Sequence, residues 1–321
     1  MARMGHAPPM AHRREARRLG RSYRALTFQQ ELTMTSVAHS QTPLDPTASP
    51  TLTPNQALWE KGDFTRIAQS MRESGDAFVA SLPITQGTRL LDVGCGDGTT
   101  AIPAARRGAE VLGVDIARNL VAAANARVAA EQLRNCRFEH GDAMDLANVD
   151  DASVDVAISI FGAMFAPRPM EVAEELVRVT RPGGRIVMGN WILGDPTLVA
   201  QILRISSAYT PAPPAGFISP MTWGIEAEVV DRFGAAGIPA DRVACARDQW
   251  VFRHEGSPAS FVALFRNFYG PTMNAFSAAT SAGRADDLQG ELEALFTAQN
   301  TSMNPDRTEI AATFLRVEVR R

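Results

Sequence analysis

The stretch LLDVGCGDGTT, Leu90 to Thr100, sets Gly94, Gly96 and Gly98 at alternate positions behind an apolar run. Three such glycines weaken a helix interior and leave a strand without side chains to pack. They suit a tight strand-to-helix turn, where glycine reaches positive φ and a ligand can approach backbone N–H groups. A lone glycine turn can also be plain packing, so its surroundings must decide between the two.

Those surroundings alternate. Strands are expected at 88–93, 109–115, 136–142, 153–160 and 185–192. Helices are expected at 99–107, 117–133 and 169–180, the last with Val172, Leu176 and Val179 on one face and glutamates on the other. RPGG, 181–184, reads as a turn. Short links between alternating strands and helices imply an α/β fold: a doubly wound, mostly parallel sheet covered on both faces. Ligands in such folds bind beyond the carboxyl ends of the strands, where the glycines fall.

Outside this core the pattern is looser. A short helix is expected over 55–71, a loop or lid over 195–221 and a helix over 222–237. A sixth strand is expected at 248–254, mainly helix over 258–300 broken at YGPT, and a final strand over 309–319. Residues 1–54 read as a disordered leader, Arg-rich and then Ser/Thr/Pro-rich, with residues 1–33 dispensable or mis-assigned and a targeting peptide as the rival. Residues 55–321 read as one domain: a cap at 55–82, a cofactor-binding core at 83–195, and a substrate-side lid with the last strands at 196–321.

Composition narrows the function. Hydrophobic residues are 45% of the chain, enough for a substantial core. Residues 1–33 carry seven arginines against Glu15 and Glu31, so with a formal net charge of −3 the body is acidic. That argues against a broad nucleic-acid surface. No apolar run approaches the ~18 residues of a membrane span. Cys95, Cys136 and Cys245 are too scattered for a disulfide framework or zinc site, which fits a cytoplasmic protein. The five histidines lack metal-ligand spacing, so no metal is expected.

Two carboxylates sharpen the glycine turn. Asp115 ends the second strand, where it can accept from both hydroxyls of a ribose. Asp142 ends the third strand in HGDAMD, where it can accept from an adenine amino group. Each alone is ordinary strand-end chemistry, but three such features at consecutive strand tips are hard to dismiss. In this order, LLDVGCGDGTT, VLGVDIA, FEHGDAMDL, SVDVAISIFG and LVRVTRPGGRIVM resemble the class I S-adenosylmethionine-dependent methyltransferases over residues 55–195. The likeness is to the small-molecule branch that includes quinone-biosynthesis enzymes. WEKGDFTRIA, FGAMFAPRP and SPMTWG resemble a bacterial subgroup of it.

The resemblance implies a seven-stranded Rossmann-like sheet with its last strand antiparallel and helical cap and lid insertions. It implies S-adenosylmethionine as cofactor, with S-adenosylhomocysteine as product. Asp92, Gly94 and Gly96 would hold the methionine part and Asp115 the ribose. Ile116 and Leu120 would pack near the adenine, Asp142 and Ala143 would address its edge, and Met144 would lie beside the ring. Ser159 and Ile160 would present backbone to the amino-acid end. Trp59, Asp63 and Phe64 would form a cap; at Phe64 relatives often have tyrosine, so a hydroxyl role there is absent.

The expected reaction is in-line methyl transfer to a small apolar or aromatic acceptor. The acceptor site would draw on Phe161, Met164, Phe165, Trp191, Phe217 and Trp223, and on NFYGP. Trp250 and Phe252 are expected in the core. His254 and Glu255 are weak candidates for a general base, since a solvated strand end explains them better. A homodimer is compatible with the sequence. Two rival readings are a NAD(P)-dependent Rossmann oxidoreductase and a non-catalytic S-adenosylmethionine-binding protein. The first lacks G-x-G-x-x-G spacing and a Tyr-x-x-x-Lys pair, Lys61 being the only lysine.

Overall fold

A computed structural model describes residues 52–321. The leader expected over 1–54 falls almost wholly outside them. At the centre is β1 (Arg89–Val93), whose last four residues are buried. On one side it pairs in parallel with β2 (Glu110–Asp115), which pairs with β3 (Cys136–His140). On the other it pairs with β4 (Val154–Ile160), followed by β5 (Thr180–Trp191). Beyond β5 lie β7 (Thr308–Arg320) and then β6 (Val243–His254), giving the order β3-β2-β1-β4-β5-β7-β6. β7 is antiparallel to both neighbours, so β6 points the same way as β1 to β5. The seven-stranded, mostly parallel sheet with an antiparallel last strand is thus as expected.

The helices follow from the same pattern. α4 (Ala101–Arg106), α5 (Arg118–Ala130) and α6 (Pro169–Val179) cross between the parallel strands. α6 buries Val172, Ala173, Leu176 and Val179, the apolar stripe read from the sequence. No residue in the first half of β6 is fully buried, and it carries Arg247 and Asp248, charges that discourage a free sheet edge from pairing further. Strand order reverses at β1, between β2 and β4, which opens a crevice at their carboxyl ends.

Four expectations need correction. The 55–71 helix is broken into α1 (Pro54–Glu60), α2 (Thr65–Ala68) and a 3₁₀ turn at Gln69–Met71. Gly62 takes φ +82° at the break, and just before the next helix Asp63 accepts from the Thr65 N–H at 3.2 Å. RPGG lies inside β5 as a local outlooping: pairing jumps from Val154↔Thr180 to Val156↔Arg185, with Gly183 at φ +77°. The segment 195–221 contains α7 (Leu198–Ser207), which buries Leu198, Val199, Ile202 and Ile205. Strand six begins at Val243 rather than 248.

The remaining helices complete the covering. α3 (Arg72–Ala80) precedes β1, and α8 (Glu226–Ala235) precedes β6. α9 (Pro258–Phe268), α10 (Gly270–Ser281) and α11 (Ala285–Gln299) fill the link between β6 and β7. Among the described residues no helix is long and apolar enough to cross a membrane.

Candidate active site

The glycine turn is fixed first by backbone. The N–H groups of Gly94 and Cys95 both donate to the Val114 carbonyl at the tip of β2, at 2.7 and 3.2 Å. Gly94, Gly96 and Gly98 have φ of +70°, +55° and +85°. A Cβ on Gly94 would lie 2.6 Å from the Gly162 Cα, and one on Gly98 would lie 2.8 Å from the Phe138 ring. A Cβ on Gly96 would meet nothing within 4 Å. Two of the glycines therefore permit close packing, while Gly96 turns bare backbone toward open space.

That space is a cleft of about 1140 Å³, part of it open to solvent. Asp115 is on its wall, 8% exposed. Its two oxygens accept the Gly96 and Ala117 N–H groups, each at 2.8 Å. Burial pushes its pKa up while these amides pull it down, and the net shift is upward. A carboxylate offers about four acceptor positions, so two remain for hydroxyls. Ile116, Leu120, Asp142, Ala143 and Ile160 line the cleft with it. Asp142 also accepts the Met144 N–H at 3.0 Å, which shapes its loop.

Three expected cofactor residues lie behind the wall. Asp92 is sealed beneath the turn, where the Thr100 hydroxyl donates to one oxygen at 2.6 Å and the other has no partner. Burial, joined by the nearby Asp115 charge, raises its pKa to about 7. Ser159 donates to the Val93 carbonyl at 2.7 Å and accepts the Ala163 N–H at 2.9 Å, tying β1 to the segment after β4. The Met144 side chain packs into the core.

The cap and acceptor residues divide similarly. Trp59, Phe64, Phe161, Phe165 and Trp191 line the cleft. Asp63 instead accepts the Thr65 N–H at the start of α2 and faces Arg66 at 3.4 Å. Met164 is buried off the wall, and Trp223 packs against Phe233 and under the Arg232 guanidinium. Phe217 is 54% exposed. Trp250 and Phe252 lie in the hydrophobic core as expected and also reach the cleft wall, as does Tyr269 from NFYGP. His254 and Glu255 are absent from the wall. His254 stacks on Phe261 with its ring nitrogen 2.9 Å from the Ser260 hydroxyl, and burial lowers its pKa. Glu255 is open to solvent.

Other lining residues carried no signal in the reading of the chain, among them Asn55, Ile67, Met71, Asp97, Val199 and Phe265. Val199 was legible in principle, since Leu198, Val199, Ile202 and Ile205 repeat at helical spacing. Cys95 lies on the wall too, but burial and the Asp115 and Asp92 charges raise its thiol pKa well above the usual value. It is therefore not a thiolate nucleophile.

Phe161 holds φ +60°, rare for a residue with a side chain, and its ring stacks on Trp191 at 3.7 Å. The cap is pinned at several points. Glu60 accepts the Arg118 N–H at 3.0 Å and Gln56 Nε2 at 2.9 Å, and Gln56 lies 3.4 Å from His140. Gly270 has no room for a Cβ, which would lie 2.3 Å from the Leu58 carbonyl oxygen.

A doubly wound sheet, a bare glycine turn at its switch point and an acidic side chain at the next strand tip define a nucleoside-cofactor-binding α/β protein. The methyltransferase domain family matches residues 91–188, which run from β1 into β5. An uncharacterised protein of Mycobacterium bovis is 33% identical over 224 residues, covering 70% of this chain and 79% of that one. The 27-O-demethylrifamycin SV methyltransferase of Amycolatopsis mediterranei is 38% identical over 141 residues, covering 43% of this chain and 51% of its own. The demethylmenaquinone methyltransferase of Shouchella clausii is 36% identical over 138 residues, covering 41% and 58%. The YcgJ protein of Bacillus subtilis shares the fold, with a TM-score of 0.51 at 18% identity over 78% of this chain and 98% of that one. The chain belongs to the class I S-adenosylmethionine-dependent methyltransferases. Its cofactor is S-adenosylmethionine.

Proposed function

We propose that this methyltransferase acts on a small, apolar, flat acceptor, which it holds against the cofactor in an aromatic chamber. The observation that carries the reading is the composition of the cleft. Its strand-tip side bears bare backbone and Asp115. Much of the rest of its wall comes from aromatic rings, among them Trp59, Phe64, Phe165, Trp191, Trp250 and Tyr269. Rings of this kind favour apolar, planar molecules and exclude water. The names of the rifamycin and menaquinone relatives point to small-molecule acceptors as well.

When bound, S-adenosylmethionine supplies a methyl group on a positively charged sulfur. The chain's own contribution is to bind and align. Gly96 leaves its backbone open to the methionine portion, and Asp115 accepts ribose hydroxyls. Ile116, Leu120 and Ala143 pack the adenine while Asp142 reads its edge. Asp92 and Ser159 hold the turn from behind. Aromatic faces suit a neighbouring cation, which adds selectivity for the charged cofactor over its neutral product. Excluding water and fixing the acceptor in line supply most of the rate. In this reading residues 55–82 cap the site, 83–195 bind the cofactor, and 196–321 add helices and the last two strands to the acceptor side.

The test is calorimetric titration with S-adenosylhomocysteine, followed by transfer of labelled methyl to a panel of aromatic, aliphatic and ionic acceptors. Binding of the cofactor product with transfer confined to polymers or to acceptors that lack an apolar, planar body would overturn the acceptor assignment.

A further inference from the structure

Tyr269 ends the α9–α10 junction with its ring packed among Trp59, Phe64 and Phe265, at centroid distances of 6.1, 6.1 and 5.5 Å. It is 5% exposed and lines the cleft. Among the described residues its hydroxyl has no hydrogen-bond partner, and it is not among the sealed, unpartnered polar atoms. A buried tyrosine normally satisfies its hydroxyl. Tyr269 stands on the cleft wall, so a molecule bound in the cleft can supply that partner.

The other ionisable groups on the wall are Cys95, Asp97, Asp115 and Asp142, all on the glycine turn and strand tips. Asp97 is held by Arg72 and Arg127. Tyr269 is therefore the one ionisable side chain within the aromatic chamber. Burial raises its pKa above the ordinary tyrosine value, so near neutrality it is a donor and not a base.

A chamber with a lone donor and no base constrains the acceptor. Transfer to a neutral amine or alcohol leaves a positive product that must shed a proton to some group. Transfer from a cation to an anion cancels both charges, and a dry apolar chamber favours that cancellation. The acceptor's anionic oxygen or carbon gives its electron pair to the methyl carbon. The pair of the broken carbon–sulfur bond stays on sulfur, and no proton moves.

Building on the apolar-acceptor reading, we propose that the acceptor enters already ionised, as a flat acidic enol or phenol, with the Tyr269 hydroxyl donating to its anionic oxygen. Such an anion is costly to bury alone. Its binding therefore depends on a cationic cofactor already in place, and the cofactor binds first.

The test uses binding rather than turnover. The enzyme is saturated with sinefungin, whose ammonium group stands in for the cationic sulfur, or with the neutral S-adenosylhomocysteine. It is then dialysed against a nitronaphthol, coloured when ionised, or against uncharged nitronaphthalene. The bound nitronaphthol is expected in its coloured form, at least about tenfold tighter with sinefungin than with S-adenosylhomocysteine, while nitronaphthalene shows no such difference. Tyr269→Phe should weaken the anion about tenfold or more and leave nitronaphthalene and S-adenosylhomocysteine affinities unchanged. The proposal falls if the neutral probe binds as well as the anion, or if the anion fails to bind protein that holds sinefungin. It also falls if Tyr269→Phe leaves anion binding untouched. Failure to bind S-adenosylhomocysteine at all would instead indict the underlying cofactor-site reading.

Discussion

Gly94, Gly96 and Gly98 sit two residues apart and answer to three different neighbours: another backbone, open space, and a phenylalanine ring. Gly94→Ala should therefore unfold the protein at markedly lower temperature, because the new Cβ meets the Gly162 backbone. Gly96→Ala should cost only the left-handed strain, ~1–2 kcal/mol, and lower S-adenosylhomocysteine affinity instead. Thermal melts and calorimetry on both variants separate the two roles; equal melting temperatures would show that the turn is not packed as described. Asp115→Ala removes acceptors for ribose hydroxyls, each charged hydrogen bond worth roughly 1.5–3 kcal/mol, and should weaken the same ligand by about ten- to a hundredfold or more. Asp92 behaves differently. Its folded pKa of about 7 stands above the ordinary aspartate value of 3.8, so between those limits the folded state binds more protons than the unfolded one. Stability must fall as pH rises through that window. Asp92→Asn should match wild type near pH 4 and be more stable near pH 8, by on the order of a few kcal/mol. A melting series that stays parallel across pH would refute it. The resemblance set Asp92 and Asp115, on successive strands, together at the cofactor. Which one faces the cleft and which is sealed depends on the depth at which the turn crosses each strand, and one-dimensional spacing does not carry that.

The same limit appears among the elements. Parallel strands with buried faces and short crossovers have strong local signatures, so β1 to β5 and their helices were readable to within a few residues. α7 was hidden because the Pro-rich run that follows it, YTPAPPAGFISP, dominated the reading of 195–221. The break between α1 and α2 depends on Gly62 fitting against Phe268 and Met273, more than 200 residues away. One buttress was invisible from sequence for that reason. On α6, Arg178 donates to the carbonyls of Leu146 and Val149, each at 2.8 Å, and to Glu175 and Asp151. Glu175 in turn accepts the Leu146 N–H at 2.7 Å. Together they brace the loop that carries Asp142 and Ala143. Arg178→Met leaves Glu175 largely buried without its partner, a change that typically costs about 3–5 kcal/mol. The melting temperature should drop, and S-adenosylhomocysteine should bind more weakly because its adenine wall loosens. Arg178→Lys should recover part of both. A variant with normal affinity and lowered stability would confine the brace to folding.

At the scale of the whole molecule, the aromatic wall joins parts of the chain that are far apart in sequence. Phe161 comes from the end of β4, Trp191 from β5, and Trp250 and Phe252 from β6; Phe161 contacts both tryptophans, and Trp191 contacts Phe252. The cap contributes Trp59, and the α9–α10 junction contributes Tyr269. The interposition of β7 between β5 and β6 makes this wall continuous with the sheet. Cofactor binding at the strand tips should therefore stabilise residues 52–321 as one cooperative unit. Ligand at 100 times its dissociation constant adds about 2.7 kcal/mol. At roughly 2–4 °C per kcal/mol for a domain of this size, the melt should shift upward by about 5–11 °C. It should move as a single transition, followed equally by circular dichroism and by the fluorescence of Trp59, Trp191 and Trp250. NADPH at the same concentration should produce no shift. A cofactor-dependent change confined to one of two separate transitions would mean that the acceptor side folds apart from the cofactor side, and that the aromatic wall is a loose cover instead of an extension of the sheet.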